Sequence, residues 1–430
     1  MDAKCNKMTN VLVVGGGPSG MMAAASARQA GAGVTLLEKN DRLGVKMRIT
    51  GGGRCNLTNT APLHDFIKNV PGNGKFLISA LSRFSNNDCI SFFESLGVPL
   101  VTEEHGRVFP AGGRAGDVVA ALERYLLAGG VRIFYRIRAA ELLLEDGKCH
   151  GIRAEDGREF YGRTVIVAAG GASYPRTGSS GDGYLLARQA GHRTISALPG
   201  LAPLCSPDSR VRTIQGLSLE DKLVTLTGSG KTISSVRGDI VFTHFGISGP
   251  ASLDISRAVS LQFSGGVNHL QLVLDIFPDE KEEALAERLI SLAREHPRKS
   301  VGGILKLILP DRLVSVVDGM IPVDLGRRAG EAGKEIWRQT ALLFKKLPFN
   351  ISGVKPLSEA MVTVGGVCTG EIDPRTMASR LVEGLYFAGE VIDVDAYTGG
   401  FNMQIAFSTG WLAGISSAEK ARSMPLSGQV

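Results

Sequence analysis

The chain has 430 residues, 43% of them apolar and 21% charged, which excludes an intrinsically disordered protein and gives length for about two or three domains. Glycine accounts for 55 of the 430 residues, close to twice the ~7% of an average protein, and its lack of a three-residue period excludes collagen. The formal charge of +6 arises from Lys and Arg interleaved with Asp and Glu; with aromatics at 6% this reads as a solvated surface and argues against a nucleic-acid partner.

Six cysteines (Cys5, Cys55, Cys89, Cys149, Cys205, Cys368) lie far apart, without zinc-type spacing, as expected of free thiols in a reducing compartment. The first ten residues lack an apolar signal core, and no run approaches the ~18 apolar residues of a membrane span. A cytoplasmic protein with no membrane partner is expected, with a frayed extension before Met8.

In chain order, residues 10–14 are an apolar run stopping at glycines, the pattern of a buried parallel strand. An Ala- and Met-rich helix over 18–31 and an apolar strand at 34–38 complete a βαβ unit. A Gly- and Arg-dense loop occupies 39–60. Helices are expected near 74–84, 87–96 and 115–128, with a hairpin around 98–109. Strands resume at 131–135, continue as charged short strands with Asp-Gly turns through 137–161, and end in a buried strand at 164–168 before Gly170 and Gly171. Pro199, Pro203 and Pro207 mark a change near residue 196, followed by short alternating strands through about 275 that suggest a barrel or sandwich. Helical spacing of Leu285, Leu289 and Leu292 opens a helical stretch that continues near 301–309, 311–318 and 331–345. Strands return at 360–364 and 385–388, and a last helix covers 401–420. The economical organisation is a nucleotide-binding domain built from both ends of the chain and interrupted near 196–355.

Gly15, Gly17 and Gly20 form G-x-G-x-x-G between the first strand and its helix, with Pro18 and Ser19 opening that helix. The first glycine permits the tight turn, the second lets backbone approach a pyrophosphate, and the third lets helix and strand pack closely. The helix N-terminus favours the phosphate charge. Glu38 closes the second strand, where a carboxylate can accept both ribose hydroxyls and opposes a 2′-phosphate, so NADP is disfavoured here and NAD or FAD remain. A second glycine-rich element near the C-terminus, with Gly389 and Glu390 after a strand and Gly399 and Gly400 before the last helix, suits an extended FAD better than NAD.

Residues 44–59, which include Lys46, Gly51, Gly52, Arg54, Cys55 and Asn56, resemble the signature of a bacterial family of NAD(P)/FAD-dependent oxidoreductases. That family includes aminoacetone-oxidase-like and bile-acid-reductase-like flavoproteins and is related to the fumarate reductase and aspartate oxidase flavoproteins. Three further segments match in order: Ser173 to Gly183, residues 242–250, and Gly399 to Asn402. The resemblance implies an α/β fold of the two-dinucleotide-binding type. A Rossmann-like FAD-binding domain would span 1–195 and 356–430, an inserted β-barrel 196–275 and 346–355, and a small helical subdomain 276–345. It also implies FAD contacts at Gly15, Gly17, Ser19, Gly20, Glu38 and Lys39, along the 46–56 loop, at Ala139, Ala169 and Gly170, and at Gly389, Glu390, Gly400, Phe401, Asn402, Met403 and Gln404.

Arg54 offers a permanent planar charge to a phosphate or a reduced ring. Cys55 has no nearby partner cysteine and reads as a packed small thiol beside the cofactor. His244, in the family motif of the insertion, is the candidate proton donor for hydride transfer, and Tyr174 is a second. Asp182 is expected to cap a helix starting near Gly183. The expected activity is hydride transfer through flavin N5 between a small-molecule donor, or transient NAD(P)H, and oxygen or an unsaturated organic acceptor. A flavoprotein of tRNA modification, a flavin-binding redox sensor without turnover, and a single-cofactor NAD dehydrogenase are the alternatives.

Overall fold

Val11, Leu12, Val13 and Val14 are buried because their strand, Thr9–Val14, lies in the middle of a seven-stranded sheet. The computed structural model describes residues 8–424. The parallel part of this sheet runs Arg132–Tyr135, Val34–Glu38, Thr9–Val14, Glu159–Val167, Leu385–Phe387. Glu159–Val167 has two partners on one side. Its beginning pairs antiparallel with Lys148–Ala154, which forms a hairpin with Ala139–Glu145, and its end pairs parallel with Leu385–Phe387. The C-terminal part of the chain thus completes a sheet begun at residue 9.

The helix Pro18–Gln29 packs against the last helix, Phe401–Ser423, almost backbone to backbone. A Cβ on Gly410 would lie 2.2 Å from the Ser19 carbonyl oxygen, and one on Gly414 2.2 Å from that of Ala23. Small residues on both helices are therefore a packing requirement. This sheet and these helices belong to one unit, made of the residues up to Leu198 and those from Leu357 on.

The second unit, Pro199–Pro356, has its own core. Its antiparallel sheet is ordered Leu347–Ile351, Leu270–Asp275, Ser218–Gly228, Lys231–Phe242, Gly246–Ser248, Leu204–Cys205, Gly353–Val354. The two ends of that order are separated in sequence by Ser352 alone, so the sheet curls until its edges approach. Ser206 Oγ donates to the Asn350 carbonyl at 2.6 Å across this closure. Helices Glu282–Glu295, Val301–Leu305, Asp311–Val317 and Lys334–Lys345 complete the unit, with Trp337 buried among them.

One expected stretch of strands is a helix instead. Pro250–Ser264 is helical, with Ala251, Ser252, Leu253, Ile255, Ser256, Val259 and Ser260 buried. Three of those seven are serines, so the apolar stripe that would betray the period is broken by small polar residues. Ser252, Ser256 and Ser260 instead satisfy their hydroxyls on the carbonyls of Ile247, Leu253 and Pro199. Among the described residues five cysteines lie outside any disulfide, and no helix is long and apolar enough to cross a membrane. Cys5 and the expected fraying before Met8 lie outside the described residues.

Candidate functional site

The turn after the first strand shows three different uses of glycine. Gly15 has φ +108°, and a Cβ there would lie 2.4 Å from the Ala168 carbonyl oxygen. A Cβ on Gly20 would lie 1.8 Å from the carbonyl oxygen of Gly15. Both positions exclude a side chain for reasons internal to the fold. Gly17 differs, since its φ is −78° and a Cβ would meet nothing within 4 Å. Neither backbone nor neighbours require glycine at Gly17.

Gly17 lines a cleft with about 1220 Å³ of space, part of it open to solvent. The helix beginning at Pro18 has no side-chain cap and no acidic residue in its first turn. An anion can therefore meet its free N–H groups and the positive end of its dipole. A bare backbone at Gly17, an uncapped helix and a carboxylate at the end of the second strand together fit a dinucleotide.

That carboxylate, Glu38, is buried and already oriented. Its Oε2 accepts from the Gly16 N–H at 2.7 Å and its Oε1 from the backbone and side-chain nitrogens of Asn40, each at 2.7 Å. Lys39 Nζ donates to Asp182 Oδ2 at 2.7 Å and to Ser180 Oγ at 2.6 Å. Arg138 reaches the other oxygen of Asp182 at 3.0 Å. Burial by itself would raise the Asp182 carboxyl, but Arg138 and Lys39 outweigh it and hold the group below the usual carboxylate range. Asp182 therefore does not cap its helix as expected. The helix is Asp182–Gln189, its cap is left-handed Gly181, and the carboxylate is held by the two cations.

A second charged cluster on the cleft wall joins four segments distant in sequence. Lys46 Nζ donates to Glu390 Oε2 at 2.8 Å and to Ser173 Oγ at 2.7 Å. Glu390 Oε1 also accepts from Ser173 Oγ at 3.0 Å and from the Thr363 N–H at 2.8 Å. Burial works against the charge on Glu390; Lys46 and these hydrogen bonds overcome it and lower the carboxyl below its usual range.

Of the residues proposed from sequence, the cleft brings together Gly15, Gly17, Pro18, Ser19, Glu38, Lys39, Lys46, Ala139, Ala169, Gly170, Glu390, Asn402 and Met403. The others lie off its wall. Gly20 packs against the turn, and Gly389 would put a Cβ 2.4 Å from Ser19 Oγ. Gly51 and Gly52 are exposed, with φ of +57° and +68°. Arg54 pairs with Glu103 and lies 4.2 Å over the Phe109 ring. Cys55 is buried, and that burial pushes its thiol up to about 12, leaving it protonated and inert at neutral pH. Asn56, with its amide oriented to satisfy both ends, donates to the Thr58 carbonyl and accepts from the Gly400 N–H, each at 3.0 Å. Phe401 packs edge-on against Phe66. Gln404 donates to the Phe84 carbonyl and to Ser408 Oγ.

Tyr174 is held in a left-handed conformation, φ 51° and ψ 58°, before the turn Pro175–Thr177, a costly conformation for an aromatic residue. His244 belongs to the second unit, exposed in a tight turn closed by the Thr243 N–H to the Gly246 carbonyl at 2.8 Å. Its ring meets the Phe245 ring edge-on at 5.0 Å, and its nitrogens have no protein partner among the described residues. Sequence reasoning missed Asn40, Arg138, Met361 and Val362, which line the cleft. Arg138 adjoins the proposed Ala139 and could have been found from that position; Met361 and Val362 carry no local signal.

The model of the HI0933-like protein Rossmann domain matches residues 9–416. The chain is 32% identical to a 3-dehydro-bile acid delta(4,6)-reductase of Clostridium scindens, over 96% of this chain and 100% of that protein. It is 30% identical to a ribosomal RNA dihydrouridine synthase of Haemophilus influenzae, over 94% of this chain and 97% of that one. In three dimensions it resembles a 3-ketosteroid-delta4-(5alpha)-dehydrogenase of Rhodococcus jostii RHA1, with a TM-score of 0.53 at 16% identity, over 97% of this chain and 98% of the other. The chain belongs to the HI0933-like protein family, and it is an α/β enzyme of the FAD-dependent oxidoreductase type.

Proposed function

We propose that the protein reduces a C=C bond conjugated to a carbonyl group, with a reduced nicotinamide as electron donor. One observation carries this reading. Two relatives matched almost end to end are named for different molecules but for the same bond change. A 3-oxo steroid with unsaturation at positions 4 and 6 and the uracil ring of uridine both present an alkene polarised by a carbonyl. The overall reaction balances as alkene plus NAD(P)H plus H⁺ giving the saturated carbonyl compound plus NAD(P)⁺.

FAD bound in the cleft supplies the two-electron relay between donor and acceptor. Gly17 and the helix start at Pro18 would hold its pyrophosphate, Glu38 a ribose, and the backbone at Ala139 the adenine. Met361, Val362 and Met403 would exclude water from the cleft. His244 is the residue we assign to proton donation, because its exposed imidazole has no hydrogen-bond partner among the described residues; Tyr174 is the second candidate.

The carbonyl-conjugated acceptor is read first as a small molecule, since neither a long basic run nor basic–aromatic interleaving is present in the sequence. The uridine of an RNA is the second reading, favoured by the dihydrouridine synthase relative. Anaerobic incubation with NADH or NADPH and either a 3-oxo-Δ4 steroid or a uridine-containing RNA tests both. Gain of two hydrogens by one acceptor, with matching nicotinamide oxidation, is the expected result. Nicotinamide-dependent bleaching of flavin absorbance without any acceptor turnover would favour a redox sensor and contradict the proposal.

A further inference from the structure

The ionisable residues on the cleft wall fall into two groups. Glu38, Lys39, Arg138 and Asp182 surround the end of the second strand, where the nucleotide motif puts the adenosine. Lys46 and Glu390 form the other group, with side chains 19% and 22% exposed, and are tied by Ser173 and Thr363. The ion pair is partly buried. Lys46 and Glu390 come together from positions 344 apart, and the cost of desolvating two charges is offset here by their mutual hydrogen bonds and those of Ser173 and the Thr363 N–H.

We infer that the Lys46–Glu390 pair sets the reduction potential of the cofactor held in this cleft, the ammonium favouring its reduced form and the carboxylate opposing it. The inference rests on the reading that the cleft takes FAD. Two electrons and one proton added to an isoalloxazine leave one negative charge on the ring system, so a fixed cation nearby lowers the energy of the reduced form and a fixed anion raises it. Among the described residues Glu390 accepts from Lys46, Ser173 and the Thr363 N–H, and Lys46 donates to Glu390 and Ser173. Ser173 also orders the pair, since its hydroxyl bonds both partners at once.

The two charges make opposite predictions, which a merely structural role would not. In the FAD-loaded protein, with dithionite as the electron source and a reference dye, Lys46→Gln should lose about tenfold in preference for the reduced over the oxidised cofactor, a potential about 30 mV lower for a two-electron couple. Glu390→Gln should move the potential upward, and Lys46→Arg should stay near the wild type. If Lys46→Gln fails to retain FAD, an upward shift in Glu390→Gln against a steady Lys46→Arg still supports the inference. Shifts of the same sign, or none, in variants that hold FAD would overturn it while leaving the FAD reading intact. A wild-type protein that does not bind FAD would overturn that reading, and the inference with it.

Discussion

The two glycine runs near the start of the chain, Gly15 to Gly20 and Gly51 to Gly53, look alike in sequence and serve different physical ends. In the first, Gly15 and Gly20 are forced by backbone contacts while Gly17 faces an open cleft with an ordinary φ. In the second, all three residues have positive φ, and the run closes a turn beside buried Cys55, which is itself left-handed at φ 62°. A glycine can thus answer to packing, to backbone handedness or to a ligand. Only the glycine that the protein does not need for itself points to a ligand.

Substitutions can break this distinction. The largest effect is expected at Gly20→Val, where the new Cβ would collide with the Gly15 carbonyl; a loss of about 3 kcal/mol in thermal or denaturant unfolding is expected. At Gly17→Ser the two readouts should part. Serine is a favoured helix cap, so the apo-protein should be as stable as the wild type or more so. Its FAD affinity should fall on the order of 100-fold, because side-chain atoms then occupy the phosphate position. A Gly17→Ser protein that binds FAD as the wild type does would remove the argument from the bare backbone. Gly52→Ala should cost only about 1 kcal/mol, the strain of a left-handed alanine, since no neighbour meets its Cβ. A loss there as large as at Gly20 would erase the contrast.

The smallest predicted effect is on acid stability. Asp182 and Glu390 both have carboxyls lowered in the folded state. Their contribution is present above the unfolded carboxylate range near pH 4 and is lost as pH falls through the lower folded values. Unfolding followed from pH 6 downward should show a steeper acid loss in the wild type than in a Glu390→Gln, Asp182→Asn double variant. Equal slopes would mean that the two clusters add nothing to stability.

Much of this was legible in the sequence because it is local. The strand–glycine–helix–strand–acid order through Glu38 needs only neighbouring residues, and the structure keeps it in the same register. The closing helix was equally plain, and Gly410 and Gly414 within it explain its tight seat. What escaped depends on distant partners. Asp182 looks like a helix cap until Lys39 and Arg138 are brought beside it. Lys46 and Glu390 each stood out as cofactor contacts, but their pairing across 344 positions leaves no local trace. Helix Pro250–Ser264 was hidden for the opposite reason, since its buried face is partly serine.

On the proposed function, the cleft at Gly17 binds FAD through its pyrophosphate and ribose. The most direct test is calorimetric titration of the apo-protein with FAD, alone and in the presence of ADP, which carries the same pyrophosphate and ribose. Saturable binding of one FAD per chain, weakened competitively by ADP, is the predicted result. Absence of saturable FAD binding, or FAD binding that ADP leaves untouched, would contradict the account.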